Sequence, residues 1–562
     1  MSATNYTLFI PNELVAEIMW HYAHTDKLQD LVKPHSVGAM ARISSVCQRW
    51  RNIAIGSHSR FLWSQIHLAW PKSVVTRHLQ RCGKDTRLSI AITTPALYNG
   101  NFTRFREQVD PSRIERLSVL QVYGFGRVDD LSPWISGIME GRHKMSYLWQ
   151  LHLTSTVTSP KMPYSLTHFP KISDLRCPNI LFHTTLPDPC LLTNLEISYS
   201  DDTPLTILNF LTHCPTLRSA FFNRKSDPVR LADPFTITDS PITLPHLNFF
   251  QFGPCHTSFA DAILRSIVCP TSSDIKITIF RDIPCVLASF PETLETTLSS
   301  THTLTVTAER IETSSTDEYQ IDSSNYPFRI AFSSPESPAY FIQFNEFEDS
   351  ASELGPDMLR DLALRQNAFS ELKKATLLVR HLPDAKTLTQ MLTSWKHVED
   401  IAIRSTAVNS FIAALGSRES ESGAPLCPSL RKLDIRGSAF DPYQLKDTLS
   451  ERKAAECPVH NFSFTMDSFL KGIPPQGLSV DEAINKLNEL VDKCTHEDGN
   501  WTSETDPDEG VPEEDYDDYE EDDPDEMYEA MMEEEYDSEY DDGGYQDDHL
   551  YDDYDDDYDD GD

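Results

Sequence analysis

Apolar residues recur through the middle of the chain in one short pattern, apolar-x-x-apolar-x-apolar. It is met at Ile114-x-x-Leu117-x-Val119, Leu148-x-x-Leu151-x-Leu153, Ile172-x-x-Leu175-x-Cys177 and Leu192-x-x-Leu195-x-Ile197. It continues at Leu217-x-x-Ala220-x-Phe222 and Leu247-x-x-Phe250-x-Phe252. After a gap it returns at Leu372-x-x-Ala375-x-Leu377, Val398-x-x-Ile401-x-Ile403 and Leu430-x-x-Leu433-x-Ile435. Successive starts lie 34, 24, 20, 25 and 30 residues apart, then 26 and 32 in the second group. The alternating end of each motif predicts a strand with one buried face. Runs such as Leu205–Leu211 and Leu388–Leu392 between motifs predict helices. Such units cannot bury their apolar faces alone, so they should stack into a solenoid with one continuous core.

The periods match leucine-rich repeats of irregular length. The repeat region is placed at 85–478, with an inserted or degenerate segment at about 279–371. That segment holds alternating runs at Leu304–Val306, Phe328–Phe332 and Tyr340–Phe344, the last two joined by a hairpin-like Ser333–Pro338. Cys-Pro pairs at 177, 214, 269, 427 and 457 form a second signature. At Cys214-Pro215 and Cys427-Pro428 the proline halts the preceding helix, and the small thiol packs beneath the turn. Ser479 and Glu482 have capping-box spacing before Ile484, Leu487 and Val491, predicting a helix at 479–495 that covers the open end. Motif residues facing away from the core should line a concave sheet, the default recognition surface for a protein substrate. Gln150, His152, Glu196, Ser198, Arg404 and Arg436 are the candidates there.

The segment 8–68 has a different period. Leu14, Val15, Ile18, Met19 and Tyr22 share one helical face, and Met40, Ile43, Val46, Cys47, Trp50 and Ile53 follow at spacings of three and four. Phe61, Leu62, Trp63 and Ile66 add a third cluster. Three helical pieces of this size bury little surface by themselves, and Trp20, Trp50, Trp63 and Trp70 call for a partner surface. The runs Ile10-Pro11-Asn12-Glu13-Leu14-Val15-Ala16-Glu17-Ile18, Ile43–Ala54 with Val46-Cys47-x-x-Trp50-Arg51, and Leu62-Trp63 resemble an F-box of the fungal type. The resemblance implies a three-helix module that docks on a Skp-family adaptor and thereby joins a cullin complex. It implies an adaptor-binding face formed or supported by Pro11, Leu14, Ile18, Val46, Trp50, Leu62 and Trp63. The opening Ile-Pro replaces the family's Leu-Pro, and the connection between the first two helices is longer than usual. The expected fold class is therefore an α+β or α/β solenoid with parallel strands, led by an F-box-like helical module and followed by an acidic tail.

Charge changes the picture at one end. The chain has 48 Lys and Arg against 87 Asp and Glu, a net of −39. Residues 497–562 hold 35 of those acids and no base, which leaves 52 acids against 48 bases, a net of −4, in the rest. Nine Tyr and few aliphatics accompany the acids, so this tail should be disordered and extended by self-repulsion. No basic stripe exists, which disfavours direct nucleic-acid binding. No run of about 18 apolar residues exists, which predicts no membrane span, and no secretory signal is expected. Eleven scattered Cys without a C-x-x-C predict reduced thiols, no metal site and a cytoplasmic or nuclear location. No nucleotide loop, nucleophile elbow or zinc-protease motif is found, so no catalytic residues and no cofactor are expected. Two functions follow. The first, implied by the F-box resemblance, is a non-catalytic substrate-receptor subunit of an SCF-type ubiquitin ligase. The second is a leucine-rich-repeat protein whose acidic tail binds histones or other basic partners.

Overall fold

The computed structural model describes residues 10–25, 43–93, 101–108, 111–125, 131–155, 166–181, 190–199, 204–224, 241–280, 291–308, 328–345, 354–364, 369–419, 423–466 and 480–497. The acidic tail beyond Glu497 lies outside the described residues, as does the connection 26–42.

Among the described residues, seventeen strands form one sheet. The first nine are β1 (Gln65–His67), β2 (Leu88–Ile92), β3 (Leu117–Phe125), β4 (Gln150–Ser155), β5 (Asp174–Leu181), β6 (Asn194–Tyr199), β7 (Ser219–Arg224), β8 (Phe249–Cys255) and β9 (Asp274–Phe280). Each pairs in parallel with the next. Then come β10 (Thr303–Ala308), β11 (Phe328–Ser334) and β12 (Ser337–Asn345), followed by β13 (Lys374–Val379), β14 (Asp400–Arg404), β15 (Lys432–Asp434), β16 (Asn461–Thr465) and β17 (Lys493–Glu497). From β13 to β17 the pairing is again parallel and sequential.

The segment between the two groups keeps the sheet unbroken. Strand β9 pairs in parallel with β12, and β10 pairs in parallel with β13. The antiparallel strand β11 fills the space between β12 and β10. Two antiparallel junctions reverse the direction twice, so the second group runs the same way as the first. The hairpin thus adds rungs without interrupting the ladder.

Register explains why the motif repeats. Leu151, Leu175, Leu195, Ala220, Phe250 and Ile275 lie side by side across β4–β9, and Leu153, Cys177, Ile197, Phe222, Phe252 and Ile277 form a second row. Their exposure is between 0% and 2%. The first apolar position of each motif turns the chain into the strand. Its N–H bonds to the carbonyl three residues earlier: Leu148 to Met145, Ile172 to Phe169, Leu217 to Cys214, Leu247 to Leu244, Leu372 to Phe369, Val398 to Trp395 and Leu430 to Cys427. Those earlier residues are buried too, so the full rung is apolar-x-x-apolar-x-x-apolar-x-apolar. The fully buried Arg452 ties two rungs together, donating through Nη1 to the Leu426 carbonyl (2.6 Å) and through Nη2 to that of Cys427 (2.7 Å).

Helices supply the other layer. The helical module holds α1 (Asn12–Thr25) and α2 (Gln48–Ile55), and the layer includes α3 (Lys72–Cys82), α4 (Asn101–Gln108), α5 (Leu131–Met139), α6 (Leu205–His213) and α7 (Thr257–Ser266). Further along are α8 (Glu292–Ser299), α9 (Leu354–Leu364), α10 (Ala385–Ser394), α11 (Asn409–Leu415), α12 (Pro442–Ala454) and α13 (Val480–Asn488). Helices α9 to α12 pack in file, each against the next. Leu388, Met391 and Leu392 of α10, and Leu445 and Leu449 of α12, turn their sides inward. Parallel strands, one helix layer and a register-matched core make this an α/β solenoid of leucine-rich-repeat type.

Three details depart from the sequence reading. In β3 the residues level with Leu151 and Leu153 are Leu120 and Val122, three residues beyond Leu117 and Val119. A register irregularity opposite Leu88 and Ser89 shifts the strand, and Leu117, Val119, Leu120 and Val122 are all buried, so the pattern alone gives no unique choice. Next, α13 is not the last element: β17 follows it and pairs with β16, so Val491 lies in the turn between them rather than on the helix. Finally, the sheet begins at Gln65, inside the segment assigned to the helical module.

Large-to-small changes test the alternation directly. Leu433→Ala, at a fully buried core position, should cost about 2–5 kcal/mol in urea denaturation. Lys432→Ala removes an exposed side chain 3.5 Å from Asp400 and should cost under about 1 kcal/mol.

Candidate interaction surfaces

The helical module presents two classes of apolar side chain. Val15, Ala16 and Met19 of α1 are buried, as are Ile43 and, on the elements that α1 packs against, Ile53, Ala54, Leu62 and Trp63. On an adjoining side of α1, Leu14, Ile18 and Tyr22 recur every four residues and are 54%, 45% and 53% exposed. Pro11, one turn before Leu14, is exposed as well. Val46, just ahead of α2, is 62% exposed. Arg49 fixes this segment against the start of α1: its Nη2 donates to Asn12 Oδ1 (2.9 Å) and to the Ile10 carbonyl. Cys47 caps α2 through a bond from the Trp50 N–H to its sulfur (3.5 Å). Trp50 itself is half-buried.

Of the seven residues carried by the F-box resemblance, Pro11, Leu14, Ile18 and Val46 are therefore on the surface, and Trp50 straddles it. Leu62 and Trp63 are interior, at 1% and 4% exposure, and can only support such a face from beneath. The Trp63 indole N–H donates to the Ala54 carbonyl (2.7 Å), its ring meets His78 edge-on, and Arg81 lies over it at 4.4 Å. Burial lowers the pKa of His78 to about 4, against the raising effect of its hydrogen bonds to the Trp63 and Gln65 backbone and assisted by Arg81 and Arg77. The imidazole is thus neutral inside this aromatic nest. Trp70 is 5% exposed, so Trp63 and Trp70 find their cover within the chain; Trp20 stays 37% exposed. Three more turns of the chain, α3 and the strands β1 and β2, supply the surface that a sixty-residue helical segment lacks.

The face of the sheet away from the core carries two polar networks. In the first, across β4, β5 and β6, His152 Nε2 lies 3.3 Å from Asp174 Oδ1 and 3.1 Å from the Gln150 amide. Arg176 donates to both Asp174 oxygens (3.1 and 3.4 Å). Glu196 is level with Arg176 in the register. Burial opposes charge on Asp174, but the His152 hydrogen bond and Arg176 outweigh it and hold the carboxyl below its ordinary range. Burial raises Glu196 despite Arg176. Ser198 is buried, its hydroxyl donating to the Pro178 carbonyl. In the second network Asp434 accepts from Arg404 (3.0 and 3.3 Å) and from Arg436 Nε and Nη2 (3.1 and 2.8 Å). Burial opposes ionisation of Asp434, yet the bonds from Arg436 and Arg404 prevail and bring its pKa down to about 2.

All six residues expected on this face thus project from it, but Gln150, His152 and Ser198 are buried, and Arg404 and Arg436 are both engaged with Asp434. Asp174, Arg176 and Asp434 are the hubs that sequence reasoning passed over. The offset that picks Gln150 and His152 around Leu151 picks Asp174 and Arg176 around Leu175. Between the networks lie half-buried Phe221, Phe249 and Phe341, with Lys276 over the Phe249 ring at 5.4 Å. Phe221, Gln251, Lys276 and Phe341 are consecutive in register. Among the described residues, no group of three or more His, Cys, Asp or Glu is placed to hold a metal ion. No described helix is long and apolar enough to cross a membrane.

No protein-family model matches the chain. No curated protein matches it either. Among solved structures, it is similar to an internalin, InlF, from Listeria monocytogenes str. 4b F2365, at 10% identity over 62% of this chain and 82% of that one, with a TM-score of 0.21. A likeness at that score adds nothing to the architecture described above.

The second network yields a pH test. The folded pKa of Asp434 is depressed, so its stabilisation is present above the unfolded value of ~3.9 and is lost as pH falls through the folded value. Urea denaturation of the wild type and Asp434→Asn should show a stability gap that narrows by about 2 kcal/mol between pH 5 and pH 2. A gap constant over that range would contradict the assignment.

Proposed function

We propose that this chain is a non-catalytic substrate-receptor subunit of an SCF-type ubiquitin ligase. The module at residues 8–68 binds a Skp-family adaptor, which links it to the cullin complex, and the outer face of the sheet holds a target protein. The observation that carries this reading is the exposed apolar stripe of Pro11, Leu14 and Ile18 beside Val46. Leu62, Trp63 and Trp70 are already buried where the module meets α3, β1 and β2, so this stripe is what remains for a partner. A row of large apolar side chains on a helix suits groove recognition by a few anchors. The ligase role needs no nucleophile from this chain: holding a target beside the ligase raises its effective concentration. The outer face, with Phe221, Phe249 and Phe341 between two charged clusters, offers aromatic anchors of the kind that dominate protein interfaces. This role belongs to the cytoplasm or nucleus.

The competing reading, capture of histone-like basic proteins by the tail, is favoured by the segregation of 35 acidic residues into residues 497–562. The two separate cleanly. Removing 497–562 should leave adaptor binding unchanged and should abolish binding of a basic partner if that is the tail's work.

The direct test uses the full chain with Leu14→Asp, Ile18→Asp and Val46→Asp together. Binding to a purified Skp-family adaptor should fall at least tenfold, about 1.4 kcal/mol or more, while the melting midpoint stays near wild type because all three positions are exposed. Undiminished adaptor binding by this variant would refute the assignment of the face.

A further inference from the structure

Cys190 and Cys214 are 24 residues apart, yet their sulfurs lie 3.1 Å from each other. The fold explains the meeting. Cys190 stands two residues before Leu192, and Cys214 three residues before Leu217, in successive repeats. Each occupies the turn that leads into its strand, β6 or β7, and those strands are adjacent and parallel. Neighbouring strands are spaced ~4.8 Å apart, which falls within the 4.4–6.8 Å Cα separation that a disulfide bridges. The sulfurs need only ~1 Å of further approach to reach bonding distance. Both are free thiols. Cys214 closes α6, with its N–H on the Leu211 carbonyl, and is fully buried. Cys190 retains 5% exposure, beside Leu191 at 43%.

We propose that Cys190 and Cys214 are a peroxide-oxidisable dithiol, a covalent modification site that cross-links two adjacent repeats. The Cys190 thiolate attacks one oxygen of a hydroperoxide. The O–O bond breaks, alkoxide or hydroxide leaves and takes up the proton that Cys190 released, and Cys190 becomes a sulfenic acid. The Cys214 sulfur then attacks Cys190 Sγ. The S–S bond forms, the S–O bond breaks, and hydroxide departs with the Cys214 proton as water. Two electrons pass from the sulfurs to the peroxide. The small exposure of Cys190 fixes the order, since the peroxide reaches Cys190 and not Cys214.

The electrostatics of the pair agree with that order. A hydrogen bond from Cys214 lowers the Cys190 thiol, against the opposing effect of burial and with help from His213. The same bond, with burial, raises Cys214. Other Cys-Pro turns differ. The Cys427 thiol points to the Leu392 carbonyl (3.7 Å) and that of Cys457 to the Ala455 carbonyl (3.2 Å). Burial alone pushes Cys269 up to about 11, and burial, against a lowering effect of Arg452, pushes Cys427 up to about 12. Reactivity is thereby concentrated at one rung.

Peptide mapping of the full-length protein decides the matter. The native chain is treated with hydrogen peroxide, quenched, alkylated and digested without reductant. The expected product is a Cys190–Cys214 linked peptide pair, lighter by two hydrogens, that dithiothreitol separates. In Cys214→Ser the link is lost and dimedone traps sulfenic acid on Cys190. The melting midpoint of the wild type rises on oxidation and that of Cys214→Ser does not. The proposal is overturned if both cysteines are recovered alkylated while exposed Cys47 is oxidised. It is equally overturned if the link forms in urea-unfolded protein but not in the native chain.

Discussion

Lateral stacking of matched apolar side chains is the constraint on which everything else in this protein rests. A single rung such as Leu148, Leu151 and Leu153 covers nothing by itself. It becomes buried because Ile172, Leu175 and Cys177 lie level with it on the next strand, and so on through the sheet. The backbone reinforces the match, since the first amides of a strand often share one carbonyl of the rung before, as Ser173 and Asp174 do at Trp149. A slip of one residue would turn every buried side chain outward. This is why a chain with repeats of 20 to 34 residues tolerates such variation in its connections while the apolar positions of its strands stay in register.

The antiparallel hairpin shows how far the constraint reaches. Ile330 and Ile342 face each other across β11 and β12, and Val306 of β10 and Leu377 of β13 continue the row. Three strands of mixed direction thereby satisfy the same core as fourteen parallel ones. The same stacking brings Cys190 to Cys214 and Arg404 to Asp434, pairs distant in sequence that no local motif connects. Function in a solenoid is built from such lateral neighbours, with polar hubs on the open face and helices on the other.

Most of the rungs were legible in the sequence because their apolar spacing is strict, and eight of the nine motifs lie with their strand positions in the core in the expected register. Legibility failed where a position is polar or the pattern is crowded. Ser272 and Thr301 stand where Ile275 and Leu304 would have an apolar residue three places earlier, so β9 escaped the template and β10 was seen only as an isolated run. Val459-x-x-Phe462-x-Phe464 fits the template and extends the series at β16. In β17, Cys494 and His496 replace the usual aliphatics. Networks were less legible than rungs. Gln150 and Glu196 are visible as outward positions, but that Asp174 joins them through His152 and Arg176 depends on register between strands, which one sequence does not reveal. In the module, spacing identified the apolar residues but not their direction: Leu62 and Trp63 face inward because α3, β1 and β2 pack beneath them.

The helical module and the solenoid are joined without a break, since Trp63 leads directly into β1, the edge strand of the sheet. An adaptor bound to Leu14, Ile18 and Val46 would therefore sit on the end of a rigid ladder and leave its outer face open to a target. Hydrogen exchange of the full-length chain with and without a saturating Skp-family adaptor tests this most directly. New protection should be confined to residues 11–22 and 43–50, with the strands from β2 to β17 unchanged. Protection that falls instead on the outer-face strands, or no change at any residue, would contradict it.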